Sequence, residues 1–134
     1  MFNNFIKKLY KKERFSLKKI LIIVLILIIM SLSYILYSNF FDMNRLPSGS
    51  LISEENSPEG TYTIKFYRVN GGATTSYGIR GELNFNTVKR NSKNIYWNYG
   101  EDEVIINWIN DNKVLINGIE LNLPNEKFDF RRKK

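Results

Sequence analysis

Residues 20–41 read ILIIVLILIIMSLSYILYSNFF, with no charge until Asp42. As an α-helix these 22 residues extend about 33 Å at ~1.5 Å per residue. That matches a bilayer hydrocarbon core about 30 Å thick. Each central Leu, Ile or Val favours insertion by roughly 0.3 to 0.6 kcal/mol, and Ile20 to Ile29 is an unbroken run of such side chains that Met30 extends. A helix buried in a soluble core would show a polar face, and this stretch has none. Ser31, Ser33 and Ser38 can return their hydroxyls to the helix backbone. Tyr34, Tyr37, Phe40 and Phe41 gather at the distal end, where amphipathic rings favour the headgroup zone. The reading is a transmembrane helix over 20–41.

The flanks set its direction. Lys7, Lys8, Lys11, Lys12, Arg14, Lys18 and Lys19 precede it against Glu13 alone, and only Arg45 follows closely. Lys and Arg near a spanning helix stay on the cytoplasmic side, so residues 1–19 are expected in the cytosol and the C-terminal part outside, in a single-pass cell-membrane protein. A cleaved signal peptide is the competing reading, with Ser31 and Ser33 as small residues at a cleavage point. Apolar and aromatic residues running on to Phe41 favour a retained anchor. Within 1–19, Phe2, Phe5, Ile6, Leu9 and Tyr10 recur at helical spacing opposite Lys7, Lys8, Lys11 and Lys12. Either a short helix on the anionic inner leaflet or a disordered basic tail accounts for this pattern.

The formal charge of +7 belongs mostly to this N-terminal segment. Residues 41–130 carry nine cations and twelve anions, the wrong balance for tracking phosphates along nucleic acid. Nucleic acid is therefore not an expected partner. Cysteine and histidine are absent, which removes disulfides, thiolate nucleophiles, imidazole acid–base catalysis and Cys/His zinc sites. No cofactor or metal is expected.

Beyond Asp42 the apolar period changes to two. Phe41 to Pro58, with Pro47 and Gly49, reads as a stalk with one short strand around Leu51 and Ile52. Ser57-Pro58-Glu59-Gly60 is a β-turn signal. Tyr62, Ile64 and Phe66 then alternate with polar neighbours, as do Tyr77, Ile79, Leu83 and Phe85. Ile95, Trp97 and Tyr99 mark a third strand; Val104, Ile106 and Trp108 mark a fourth. In VLINGIEL (114–121), Asn117-Gly118 suits a type I′ turn that sets Ile116 opposite Ile119 and Val114 opposite Leu121. Pro124 ends that strand. The expected fold is one N-terminal transmembrane helix followed by a small all-β domain, an antiparallel meander of five or six strands. Trp97, Trp108, Phe66 and Phe85 are its expected core. The boundaries are 1–19 basic cytosolic segment, 20–41 transmembrane helix, 42–58 stalk, 59–124 extracytoplasmic β domain and 125–134 basic tail.

The strings FFDMNRLPSG (40–49), SPEGTYTIKFYRVNGGATTSYGIRGEL (57–83), KNIYWNY (93–99), INWIN (106–110) and VLINGIEL resemble a domain-of-unknown-function family of small single-pass membrane proteins from Gram-positive bacteria. VNGGATTSY (69–77) is the most specific of them. The resemblance implies an anchor with an outer β domain and carries no catalytic residues. The SPEG turn with its strand is also similar to one blade of a β-propeller, which is local strand and turn chemistry.

The loop Asn70 to Ser76 is the leading candidate binding site. Gly71 and Gly72 expose backbone N–H groups beside the hydroxyls of Thr74, Thr75 and Ser76. An ordinary hairpin loop is the favoured account of it, and with no Gly-Lys-Ser/Thr and a strand rather than a helix following, a nucleotide phosphate loop is excluded. Arg80 and Glu82 share the wet face of the second strand, where Lys65, Asn98 or Tyr96 could join them. Glu101, Asp102 and Glu103 cluster in a turn but lack the ligand alternation of a calcium loop. The terminal Arg131, Arg132, Lys133 and Lys134 can touch anionic headgroups or wall polymer. The leading reading is a non-catalytic binding or interaction module at the cell envelope. Its expected partners are the lipid bilayer and another envelope protein or an anionic wall polymer. The alternative is a small envelope hydrolase using carboxylates among Glu82, Glu101, Asp102 and Glu103.

Overall fold

Helix α1 spans Phe2–Phe41 without a break, so the basic segment continues as helix into the apolar run. In the computed structural model residues 1–133 are described, apart from the side chains of residues 12–15; Lys12, Arg14 and Lys134 of the expected basic clusters lie outside them. An 18-residue window of α1 has mean hydropathy 2.9, and none of it is buried within the chain. α1 is long and apolar enough to cross a membrane. It forms one compact unit (1–41), and residues 42–134 form a second.

The described residues of the second unit form eight strands: β1 Ser50–Asn56, β2 Tyr62–Asn70, β3 Tyr77–Phe85, β4 Lys93–Tyr99, β5 Ile106–Asn110, β6 Lys113–Ile116, β7 Ile119–Asn122 and β8 Phe128–Asp129. They make a five-stranded sheet β1-β2-β3-β4-β8 and a three-stranded sheet β5-β6-β7. Every pairing is antiparallel except the two-residue β4–β8 contact. Two expected turns form as read. Gly60 adopts φ +77° and its N–H donates to Ser57 O at 2.9 Å. Asn117 and Gly118 take φ of 48° and 80°, pairing Ile116 with Ile119 and Val114 with Leu121.

One face of the larger sheet packs with the smaller sheet to form the main core. Ile64, Phe66, Ile79, Leu83, Ile95 and Tyr96 meet Val114, Ile116 and Leu121 there. A bulge lies opposite Gly81 and Glu82, which pair with Tyr96 and Asn94. The extra residue is Ile95, and the bulge lets Ile95 and Tyr96, neighbours in sequence, both join this core. Of the expected core aromatics only Phe66 is fully buried here; Phe85 and Trp108 pack at its margin.

The other face of the larger sheet has its own cover. Met43, Val69 and Trp97 form a second small cluster, flanked by Leu46 and Phe130. Met43 lies in a 3₁₀ turn over Met43–Arg45, and Phe130 opens another over Phe130–Arg132. The 42–58 segment expected as a stalk thus carries a cover for the sheet and its edge strand β1. The tail expected at 125–134 supplies β8 and the second cover. The physical reason is apolar: Met43, Leu46 and Phe130 give segments otherwise rich in polar and turn residues something to bury.

Candidate functional site

The β2–β3 hairpin tip is exposed. Much of its polar chemistry is internal. Asn70 Oδ1 accepts the Gly72 N–H at 3.0 Å, Thr75 donates to Gly72 O from both its N–H and its hydroxyl at 3.2 Å, and the Ser76 N–H donates to the Tyr99 hydroxyl at 2.9 Å. Gly72 has φ +119°, whereas Gly71 does not need positive φ. A Cβ at Gly71 would lie 2.6 Å from Thr75 Oγ1, so a larger residue there would displace the Thr75 hydroxyl from its bond to Gly72 O. Beside the tip a shallow pocket of about 250 Å³ is lined by Thr75, Ser76, Tyr77, Gly100, Glu101 and Asp102. Its carboxylates suit a cationic or hydroxyl-bearing contact better than an anion.

Arg80 is not on a wet face. It is 7% exposed, because the 42–49 segment lies over it. Its Nη1 donates to Glu82 Oε2 at 3.0 Å and Asn94 Oδ1 at 2.9 Å, and its Nη2 donates to Ser48 O at 2.8 Å. The guanidinium carbon sits 4.0 Å from the Tyr67 ring centroid, a cation–π contact. Asn94 extends the network by donating to Met43 O at 2.5 Å. Arg80 and Asn94 together fasten the segment that leads into the sheet. Arg80 and Glu82 meet each other but not the hairpin tip; the Val69, Gly78 and Tyr99 row lies between them in the register. Their expected neighbours are engaged elsewhere. Lys65 reaches Glu54 at 3.9 Å, while Tyr96 and Asn98 point to the opposite face.

On that opposite face Glu101 accepts from the Tyr96 hydroxyl at 2.8 Å and from Asn98 Nδ2 at 2.7 Å. Burial, and next the bond to Glu101, push the Tyr96 hydroxyl well above the ordinary tyrosine range. The carboxylates named for a hydrolase therefore divide between two faces. Glu82 faces Arg80, while Glu101, which faces Tyr96, lines the tip pocket together with Asp102. Among the described residues no three Asp or Glu side chains gather as metal ligands.

Two carboxylates not singled out in sequence carry much of the remaining network. Asp111, in the β5–β6 turn, accepts the Glu59 N–H at 2.9 Å and holds the hydroxyls of Ser57 and Thr61. Those bonds depress its pKa and tie the smaller sheet to the SPEG turn. Asp129 accepts from Arg131 Nε and Nη2 at 2.8 and 2.7 Å. Burial works to raise its pKa, but the Arg131 bonds and the charges of Arg131 and Arg132 outweigh it and hold the carboxyl low. The Asp129-x-Arg131 spacing around a 3₁₀ turn was the available signal.

The family comparison matches residues 15–133 to a Family of unknown function (DUF5412). The chain belongs to this family. The DUF5412 match takes in most of α1 and all eight strands described. Neither the curated proteins nor the solved structures gave a match.

Proposed function

We propose that this DUF5412 chain is a single-pass, membrane-anchored β module of the cell envelope, with residues 1–19 cytosolic and the domain from Asp42 outside. Its role on this reading is binding rather than catalysis. The observation that carries it is α1, whose apolar side chains are exposed all round: Leu21 is 67% and Ile28 49% exposed. Water would not tolerate such a helix, and the lysines and arginines lie at its start. The paired fates of Glu82 and Glu101 support binding over hydrolysis, since each is held by a permanent partner on its own face. The hairpin tip Asn70–Ser76, with the Tyr77–Asp102 pocket beside it, is the surface offered to another envelope protein or polymer. Arg80 and Glu82 serve it only by keeping the sheet in order.

Protease accessibility with a tag at each terminus tests the topology. The C-terminal tag should be lost from wall-stripped intact cells and the N-terminal tag only from inverted membranes, with the untreated chain at full length. Cleavage of the C-terminal tag only in inverted membranes would sink the orientation. For the surface, photo-crosslinkers at Thr74 and Thr75 should capture a partner that a crosslinker at Lys113 does not. Equal capture at both places would remove the tip from the proposal.

A further inference from the structure

Two adjoining grooves of about 380 and 240 Å³ share Asn44, Lys93 and Asn94 in their walls. Arg80 and Ser92 border the larger; Asn125 and Lys127 border the smaller. Two carboxylates also line them, but both are matched: Glu82 by Arg80 and Asp42 by Arg45. Lys93, Lys127 and the nearby Arg90 enter no ion pair among the described residues. The positive charge of the grooves is therefore uncompensated.

Burial, then repulsion from Arg90 and Lys127, holds the Lys93 ammonium below its ordinary range. One of its hydrogens goes to Pro124 O, which leaves two for another acceptor. Arg80 Nε is a buried donor with no partner. Ammonium groups flanked by amide and hydroxyl donors suit phosphate oxygens, which accept several charge-assisted hydrogen bonds at once. The location narrows the source. Asp42, in the wall of the smaller groove, is bonded directly to Phe41, the last residue of α1. Consecutive Cα atoms lie ~3.8 Å apart, so this wall begins where the apolar helix ends.

We propose that the Lys93–Lys127 grooves bind the phosphodiester of an anionic lipid headgroup in the outer leaflet. The lipid as source rests on the anchored reading; the phosphate chemistry does not.

The test uses the full chain in two settings. One is phosphatidylcholine nanodiscs with and without phosphatidylglycerol; the other is uncharged maltoside micelles with added inorganic phosphate. Acylation of each lysine by an amine-reactive reagent is followed by mass spectrometry. Phosphatidylglycerol should slow acylation of Lys93 and Lys127 several-fold while leaving Lys65 and Lys113 unchanged. K127Q, at an exposed position, should remove the protection of Lys93, and K93Q that of Lys127. Protection by inorganic phosphate without protection by phosphatidylglycerol would overturn the headgroup assignment. Absence of protection in both settings, or full protection of Lys93 in K127Q, would overturn the site. Alkaline carbonate extraction is run alongside. Release of the chain from the membrane would overturn the lipid source and the anchored reading, while protection by phosphate in micelles would still support the anion site.

Discussion

Replacing Arg80 with Ala removes the donor that joins Glu82, Asn94 and Ser48 beneath the 42–49 segment. The Arg80 side chain is 8% exposed and that of Glu82 is 23% exposed. Breaking a fully buried ion pair costs about 3–5 kcal/mol, and each orphaned buried acceptor about 1–3 kcal/mol. Water can reach Glu82 once the arginine is gone, which lowers the total. An expected loss of about 2–4 kcal/mol follows. Against a typical domain stability of about 5–15 kcal/mol, that is a large fraction. Urea unfolding of the full chain in maltoside micelles, read by tryptophan emission, measures it directly; Trp97 is the register partner of Arg80. Glu82→Gln and the double variant complete a cycle, and the two losses should fall short of additivity by about 1–3 kcal/mol. Arg80→Lys should sit between wild type and Arg80→Ala, because a lysine keeps the charge and loses the planar fork. Amide exchange at Leu46 and Ser48 should accelerate in Arg80→Ala more than exchange in β6 and β7. A loss below about 0.5 kcal/mol, the ordinary scale of a surface change, would refute the clamp and return Arg80 to the solvent-facing role expected from sequence.

Phe66→Ala, at a fully buried position of the main core, should cost about 3–5 kcal/mol and lower the urea midpoint accordingly. Gly81→Val places carbon where a Cβ would already stand 3.0 Å from Tyr96 Cβ and 3.1 Å from Phe66 Cε1; a loss of about 1–3 kcal/mol is expected from overpacking, again by urea unfolding. The depressed pKa of Asp129 means that the folded state binds its proton less readily than the unfolded chain. Its stabilising effect is complete above the unfolded aspartate value of about 3.9 and fades as pH falls through the lower folded value. Thermal midpoints should therefore decline below about pH 4, and Asp129→Asn should be less stable at neutral pH with a shallower acid decline; an identical acid profile would show that the Arg131 pairing has no thermodynamic weight.

The elements that depend on local pattern were legible in sequence. α1, the SPEG turn, the Asn117-Gly118 hairpin and the alternation in β2 and β3 each follow from a repeat or a turn residue. What was not legible depends on which segment covers which face. Strict alternation placed Arg80 in water, and nothing local could announce that residues 42–49 would lie over it. Strict alternation also put Ile95, Trp97 and Tyr99 on one face. The bulge at Ile95 breaks that pattern, sending Ile95 to the main core while Trp97 covers the other side. Asp111 and Asp129 went unnoticed because their partners come from tertiary contact in one case and from a 3₁₀ turn in the other. The hairpin tip was read correctly as an exposed loop, but its donors were counted as available when Asn70, Gly72 and Tyr99 already engage them.

The placement of the carboxylates bears on the proposed choice of binding over hydrolysis. A carboxylate hydrolase needs two acids that act on one substrate across a cleft. Here the register puts Glu82 with Tyr67, Arg80 and Trp97 on one face, and Tyr96, Asn98 and Glu101 on the other. Rearranging either would mean orphaning Arg80 or the Tyr96 hydroxyl inside the fold. Among the described residues, the Lys93 and Lys127 ammoniums enter no ion pair, and Lys93 keeps two hydrogens beyond its bond to Pro124 O. Cations of that sort can hold a ligand without any acid–base step. Glu82, Asp111 and Asp129 serve to hold the two sheets and the end segments in place.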